Sequence, residues 1–343
     1  MNIDFYLIIG IIIWYFITNL IKKQNKNDIF LIGTFIIFFT VLILRKPISD
    51  MDFYLSKFNE IQKMNMLEMW LLPWEKLYIL LNKIIGLFTC NNRVFIIITS
   101  FIGLIGPYFF IKKYSKNYLI SVILFIVLGL YSYNFFVIRQ TIAMSIALFG
   151  IKYVEEKKFP AFLVITVIAA LFHKTIILFL LIYFIGNKKI DKKYLLQWLA
   201  VFGIMLLIKD FVINQIYKFM YSNYIGRYGN SNGYERLILF TTILMVATYM
   251  YSKMKSPLEN NIIMITYNML LLTILFQIIA TSQPIVARIA NDFAYGIILL
   301  IPNLIENVED KKNKKILQTG LICGTILYSI LFPTISGYAL LWM

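Results

Sequence analysis

Twelve apolar segments separated by short polar connections are the feature that most limits how this chain can fold. They lie near residues 5–21, 28–44, 94–111, 118–136, 138–153, 159–172, 174–186, 194–209, 236–252, 262–281, 288–305 and 316–332. Most are close to the length that a helix needs to cross a hydrocarbon layer of roughly 30 Å. Because 60% of the 343 residues are hydrophobic and the mean hydropathy is +0.77, the sequence predicts an all-α, polytopic integral membrane protein. We expect one transmembrane domain over residues 1–343, with about 12 transmembrane helices (about 10–12).

Lysine tracts between the apolar segments predict the topology. Six tracts hold 19 of the 33 basic residues and no arginine: 22/23/26, 112/113/116, 152/157/158, 188/189/192/193, 253/255 and 311/312/314/315. Short cytoplasmic loops carry an excess of positive charge. Placing all six on the cytoplasmic side puts both termini outside and requires the chain to reverse at His173. The formal charge of +16 therefore indicates membrane topology and not nucleic-acid binding. The first segment lacks a basic start and a small-residue cleavage site, which favours a retained span over a signal peptide.

All six arginines fall on the opposite, outer side in this topology: Arg45, Arg93, Arg139, Arg227, Arg236 and Arg288. They lie at outer helix ends or in two outer connections, 45–93 and 210–235. The first connection includes Leu77–Ile85, a pattern typical of an interfacial or re-entrant amphipathic helix. Since arginine grips phosphate or carboxylate with a planar fork, the set favours an anion-binding face. Any single member has a plain alternative, such as an i,i+4 pair between Arg288 and Asp292.

Carboxylates, aromatic residues and the only histidine occur near these arginines. Asp50 and Asp52 follow the second apolar segment, and Trp74 and Glu75 come later in the same connection. Carboxylates here suit a general base or a sugar-hydroxyl ligand, although solvated loop acids are the commoner explanation. Arg139 sits between two apolar segments, where a cation is costly unless it faces a partner or a cavity. His173 is predicted at the same level as Arg139, which favours function over simple packing.

These residues together resemble a known family. Arg45 through Asp52-x-Tyr54, Glu75, Ile138-Arg139-Gln140-x-Ile142-Ala143, Phe172-His173-Lys174-Thr175 and Arg288-Ile289 occur in this order. The pattern is similar to the EpsG-like family of Wzy-type bacterial polysaccharide polymerases, over roughly residues 40–305. The chain departs from the expected Gly/Thr-Asp-Tyr pattern at Asp50-Met51-Asp52, so either aspartate fits.

The resemblance implies a glycosyltransferase in the bacterial cytoplasmic membrane. Because a lipid-diphosphate donor is already activated and the arginines can meet its leaving charge, we expect that neither a metal nor a cofactor is needed. Such a protein joins oligosaccharide repeat units carried on undecaprenyl diphosphate, at the outer face, into an O-antigen, capsule or exopolysaccharide. Its partners are the lipid-linked oligosaccharide, membrane lipid, and a chain-length regulator and flippase of the same pathway.

The chemistry of such a reaction assigns roles to the motif residues. Positive charge must meet the departing diphosphate, for which the candidates are Arg139, Arg288, Arg227 and Arg45. His173 is the candidate acid/base group, because imidazole titrates near neutral pH. The candidates that orient or deprotonate the acceptor hydroxyl are Asp50, Asp52 and Glu75. Gln140 and Tyr54 are expected to position the substrate.

Other classes of membrane protein fit parts of the pattern. A flippase needs basic residues through the full membrane depth, whereas these charges stop at one face. An O-antigen ligase or another glycosyltransferase acting on lipid-linked sugars would use the same chemistry. A membrane acyltransferase also uses a buried histidine, but its donor is usually cytoplasmic. A structural subunit does not need a one-sided set of arginines.

Overall fold

The structure is a computed structural model that describes residues 3–21, 24–47, 50–220, 233–254 and 261–334, with the backbone alone for 216–220. Within these ranges the chain is helical and contains no β-strand, which confirms the all-α class. The helices are α1 (Ile3–Leu20), α2 (Lys26–Ile43), α3 (Met51–Lys63), α4 (Met66–Leu71), α5 (Lys76–Phe88), α6 (Asn92–Tyr114), α7 (Tyr118–Val127), α8 (Tyr133–Phe136), α9 (Ile138–Leu148), α10 (Ile151–Glu155), α11 (Phe159–Ala170), α12 (Leu181–Ile185), α13 (Lys192–Met220), α14 (Tyr234–Ser252), α15 (Asn261–Ala280), α16 (Ala287–Ala294), α17 (Ile297–Glu306) and α18 (Lys311–Leu331), with 3-10 helices at Lys174–Leu180 and Pro284–Val286.

The predicted count of about 12 crossings is not confirmed. In the described ranges, five helices are long and apolar enough to span a membrane, namely α1, α2, α6, α13 and α15. A sixth candidate joins Pro284–Ala294 to α17 across a bend of 40°. Each of the twelve apolar segments contains helix, but several are broken into pieces that are too short. Segment 118–136, for example, breaks after Val127, where Gly129 takes a left-handed φ of 76°.

The most buried helix, α15, forms the centre of the bundle. It is hydrophobic all round, as a helix enclosed by others must be, and 89% of the stretch that could span a membrane is buried. Helices α13, α14, α16 and α17 pack around it. This arrangement fixes α16, which carries Arg288, against the core.

Residues 159–186 form a hairpin of two short arms. The Phe159 ring lies 4.9 Å from the Tyr183 ring, and the Tyr183 hydroxyl donates to the Lys157 carbonyl at 2.8 Å. The start of the first arm therefore lies beside the end of the second, and the chain reverses at His173 as predicted. At 1.5 Å per residue, the 12 residues of α11 rise roughly 18 Å, well short of a full hydrocarbon layer.

Five of the six lysine tracts and the five arginines that the structure describes lie at opposite ends of the bundle. Helix α6 begins beside Arg93 and ends at Lys112 and Lys113, and its 23 residues rise roughly 34 Å. At one end, which we call the lysine end, side chains that lie within or next to five of the six tracts contact one another. The contacts are Lys112–Asp28, Tyr114–Glu155, Asn187–Val154, Asn117–Glu306 and Lys314–Glu306. At the other, the arginine end, contacts connect the five described arginines to neighbouring elements: Arg93–Arg45, Arg45–Asn134, Arg139–Glu75, Arg236–Asn291 and Arg288–Asp50.

The predicted outer connection 45–93 holds three helices. Helix α5 contains the predicted amphipathic stretch, and α3 packs on it through a buried stripe at Met51, Tyr54, Leu55, Phe58 and Ile61. This i, i+3, i+4, i+7 spacing was a readable helix signal that the sequence analysis missed. The Leu77 N–H donates to the Leu171 carbonyl at 3.0 Å. That bond attaches the start of α5 to the hairpin turn and brings Glu75 to His173.

The second predicted outer connection, 210–235, begins later than expected. Helix α13 continues past residue 209 to Met220, and α14 starts at Tyr234. No glycine or proline interrupts 210–220, and Phe211, Val212 and Ile213 extend the apolar pattern.

Candidate active site

Glu75 is the residue on which charged groups of the arginine end converge. Its Oε2 atom lies 2.7 Å from Nη1 of Arg139. Its Oε1 atom accepts the backbone N–H of Lys174 at 3.1 Å and lies 3.5 Å from Nδ1 of His173. Burial alone raises the pKa of Glu75, but His173, Arg139 and the Lys174 N–H lower it to about 2. Glu75 is therefore a carboxylate at neutral pH, and both of its oxygens already have partners.

His173 occupies the turn of the hairpin, immediately before the 3-10 helix. Burial lowers the pKa of its imidazole, and the Glu75 carboxylate opposes that shift. With Nδ1 facing a carboxylate, the neutral tautomer that carries its proton on Nδ1 is favoured. The Nε2 atom is then left to exchange a proton, as in catalytic carboxylate–histidine pairs.

Arg139 lies in the first turn of α9, inside a group of aromatic rings. Its Cζ atom is 5.3 Å from the Trp74 ring, 5.9 Å from Tyr54 and 6.0 Å from Tyr78. Cation–π contacts of this kind hold a guanidinium in place after it has lost most of its water. The side chain remains 19% exposed. Arg139 is thus a pre-oriented cation with part of its fork open to a ligand.

Arg288 joins the same group from α16. Its Nη2 atom lies 3.6 Å from Oδ2 of Asp50, at the N-terminus of α3. Gln140, the neighbour of Arg139, donates from Nε2 to the Arg288 carbonyl at 2.7 Å. The guanidinium is directed to Asp50, so the alternative of an i,i+4 ion pair with Asp292 is wrong. The carboxylate of Asp292 accepts instead from Gln140, at 2.7 Å.

Arg45, predicted as a diphosphate ligand, is placed differently. It is 1% exposed, and its guanidinium donates to the Leu42 carbonyl at 2.5 Å and to the Asn134 carbonyl at 2.9 Å. Its Cζ atom also lies 5.0 Å from the Phe135 ring. These contacts cap the end of α2 and attach it to α8. We correct the prediction, because a fork engaged inside the protein cannot reach a substrate.

Of four further predicted residues, the structure describes three. Asp52 is exposed on α3, so of the two aspartates it is Asp50 that meets Arg288. Tyr54 is buried beneath Arg139, where it supports the cation instead of facing outward. Arg227 lies outside the described residues. Gln140 was predicted to position the substrate. It holds the backbone of Arg288 instead, which makes it a positioning residue for that arginine.

The sequence analysis missed Tyr78 and Asp292. Tyr78 is fully buried under Arg139, in the amphipathic helix that was predicted. Its position on the apolar face of that helix was the sequence signal that it would be buried. Asp292 appeared only as a partner for Arg288. Within the described ranges, no group of three or more histidine, cysteine, aspartate or glutamate side chains is arranged to hold a metal ion.

The fold and the site define a class: a helical membrane protein with an arginine–histidine–carboxylate site at one end of its bundle. The EpsG family model matches residues 28–340, nearly the whole chain, and the protein belongs to the EpsG family. EpsG-like proteins are Wzy-type polymerases, which places this chain among membrane proteins of polysaccharide synthesis. Comparison with curated proteins and with solved structures finds no match.

Proposed function

We propose that the protein polymerises oligosaccharide repeat units carried on undecaprenyl diphosphate, at the outer face of the cytoplasmic membrane. The observation that carries the proposal is the convergence on Glu75. One carboxylate holds a cation that suits a diphosphate, Arg139, and a histidine that suits a proton transfer, His173. Arg288 adds a second cation to this group and is paired with the half-exposed Asp50.

The reaction needs few parts, because the donor is already activated. The acceptor hydroxyl oxygen forms a bond to the anomeric carbon of the donor sugar, and the bond from that carbon to the diphosphate oxygen breaks. The diphosphate leaves with the electron pair, and Arg139 and Arg288 stabilise the charge that develops on it. The hydroxyl proton passes to Nε2 of His173. Glu75 orients both the base and the cation, and Asp50 is free to receive the acceptor when the diphosphate takes its place on Arg288.

Apolar side chains around the site support a position at the lipid–water boundary. Met66, Leu67, Trp70 and Leu71 of α4 are all at least two-thirds exposed. Helix α5 exposes a second apolar stripe at Leu80, Ile84, Leu87 and Phe88. Exposed stripes on short helices outside the spans are typical of interfacial helices. A site beneath them is suited to a substrate with a lipid tail and a water-soluble sugar.

Purified protein in nanodiscs should convert lipid-diphosphate repeat units into a ladder of longer chains on a gel. Neither nucleotide sugar nor added divalent metal should be required, because the donor is preactivated and arginines meet the leaving charge. A ladder that appears only with a divalent metal would contradict this mechanism.

Gene deletion separates the proposal from the competing classes. Loss of a polymerase should leave single repeat units that are made and exported but not lengthened. Loss of a flippase would hold lipid-linked units at the cytoplasmic side, and loss of a ligase would leave long polymer unattached. Either of the last two phenotypes would overturn the proposed function.

The outer location predicts a labelling pattern. In a background where the exposed Cys90 and Cys323 are replaced by serine, an impermeant thiol reagent should label Lys63→Cys in intact cells and should label Lys189→Cys only after lysis. Both side chains are exposed, so access depends on the side of the membrane. Lys189 belongs to one of the lysine tracts that we place on the cytoplasmic side. Labelling of Lys189→Cys from outside would refute the proposed topology.

A further inference from the structure

A buried polar pair lies directly behind Arg288. Gln140 on α9 donates through Nε2 to two acceptors, the Arg288 carbonyl and Oδ1 of Asp292, each at 2.7 Å. Gln140 is 1% exposed and Asp292 is 4% exposed. One amide group therefore ties the first turn of α16, to which Arg288 belongs, to the start of α9, to which Arg139 belongs.

Two acceptor atoms of this pair lack a donor. Oδ2 of Asp292 and Oε1 of Gln140 are buried and have no hydrogen-bond partner within the described part of the chain. Both residues line a cavity of about 10 Å³, with Tyr133, Thr141 and Asn291 among the other lining residues. A space of this size holds one water molecule at most. While Asp292 is charged, neither side chain supplies a hydrogen to these two oxygens. The other donors at the cavity are a single water molecule and the hydroxyl groups of Tyr133, Thr141 and Tyr295.

An ionised carboxylate is costly at this position. The ion pairs in the described ranges do not include Asp292, and the nearest arginine along its helix is directed to Asp50. A buried charge without a cation is strongly disfavoured, because it loses its hydration without an opposite charge to replace it. A protonated carboxyl group has no such cost, and its O–H is a donor that the ionised form lacks.

We infer that Asp292 is a positioning residue that works as a neutral carboxylic acid: it fixes Gln140, and through Gln140 it fixes the backbone of Arg288 beside Arg139. The inference rests on the proposed function and assigns the spacing of its two cations to a residue that touches neither guanidinium. A shift of about 1 Å in a positioned group can cost as much as roughly 10²-fold in rate.

The test compares Asp292→Asn with Asp292→Ala in the ladder assay. Asparagine keeps one acceptor and supplies a donor without charge, so Asp292→Asn should stay within about threefold of wild type. Alanine releases Gln140 and should lower the rate by roughly 10-fold to 10²-fold. If the charge of Asp292 is what matters, asparagine will be as damaging as alanine, and the inference fails.

A double-mutant cycle separates positioning from general destabilisation. In an Arg288→Ala background, Asp292→Ala should cost less than about a further twofold, because the residue that it positions is already absent. The matched control is Asn291→Ala, on the same helix as Asp292. The Asn291 side chain accepts from Arg236 and donates to the Tyr133 hydroxyl of α8. Its effect should persist in the Arg288→Ala background. A full additional loss from Asp292→Ala in that background would overturn the inference.

The protonation state has a readout that does not depend on activity. The infrared difference spectrum of wild type minus Asp292→Asn should contain the C=O stretching band of a protonated carboxylic acid at neutral pH. Absence of the band overturns the inference and leaves the polymerase proposal intact. Absence of any ladder from the wild-type protein refutes the polymerase proposal, and the infrared result still decides the state of Asp292.

Discussion

His173→Ala should lower the rate of ladder formation by roughly 10²–10⁴-fold, the range for loss of a general acid/base. The expectation rests on geometry, since Glu75 lies 3.5 Å from Nδ1 and leaves Nε2 to receive the acceptor proton. Burial lowers the pKa of His173, so the imidazole stays in its neutral, basic form at neutral pH. The acidic limb of the wild-type pH–rate profile should therefore lie below the ordinary histidine value of about 6.5.

The control is Lys63→Ala at the C-terminal end of α3, in the same predicted outer connection as Glu75, where the side chain is exposed. It should retain wild-type rate within about threefold, as for a surface substitution. A His173→Ala enzyme with normal rate would refute the acid/base role, whatever the family of the protein.

Apolar length allowed the helices to be predicted, but not their continuity. Each apolar segment contains helix because its composition leaves the backbone no other way to satisfy its polar groups in lipid. Breaks such as the one at Gly129 depend on how neighbouring helices pack, and local composition does not report this. The reversal at His173 could be predicted, since only a reversal keeps the lysines of 188–193 with the others.

The types of residue in the candidate site could be predicted from the sequence, but the burial of each side chain could not. Arg139, His173 and Glu75 lie 34 or more positions apart. A common level was predicted for Arg139 and His173, and the family resemblance added Glu75 to the same set. Arg45 was predicted as a diphosphate ligand on the same grounds, and that prediction was wrong. Whether an arginine caps a helix inside the protein or faces a substrate depends on tertiary contacts such as the Asn134 carbonyl, which a single sequence does not reveal.

The role of Glu75 also depends on tertiary contacts that the sequence does not reveal. The sequence analysis proposed that it orients or deprotonates an acceptor hydroxyl, whereas its oxygens are engaged by Arg139, His173 and the Lys174 N–H. Its low pKa, about 2, also makes it a weak base. A carboxylate of this kind suits orientation of the groups that act, and the half-exposed Asp50 remains the better candidate for contact with the acceptor.

Arg139→Lys should be nearly as damaging as Arg139→Ala, with both variants losing about 10²–10³-fold in rate, as when an oxyanion donor is removed. The guanidinium of Arg139 gives Nη1 to Glu75, and the part of its fork that remains exposed is available for phosphate oxygens. A lysine ammonium in this position would pair with Glu75 or with the diphosphate, because a point charge cannot span both. The rate of ladder formation at matched protein level is the measurement.

Arg93→Lys is the control, since Arg93 donates to the carbonyls of Ile43 and Arg45, acceptors that an ammonium group also serves, and it should remain active. Wild-type chain length from Arg139→Lys would show that Arg139 only anchors a helix end, and the diphosphate would then have to be bound elsewhere.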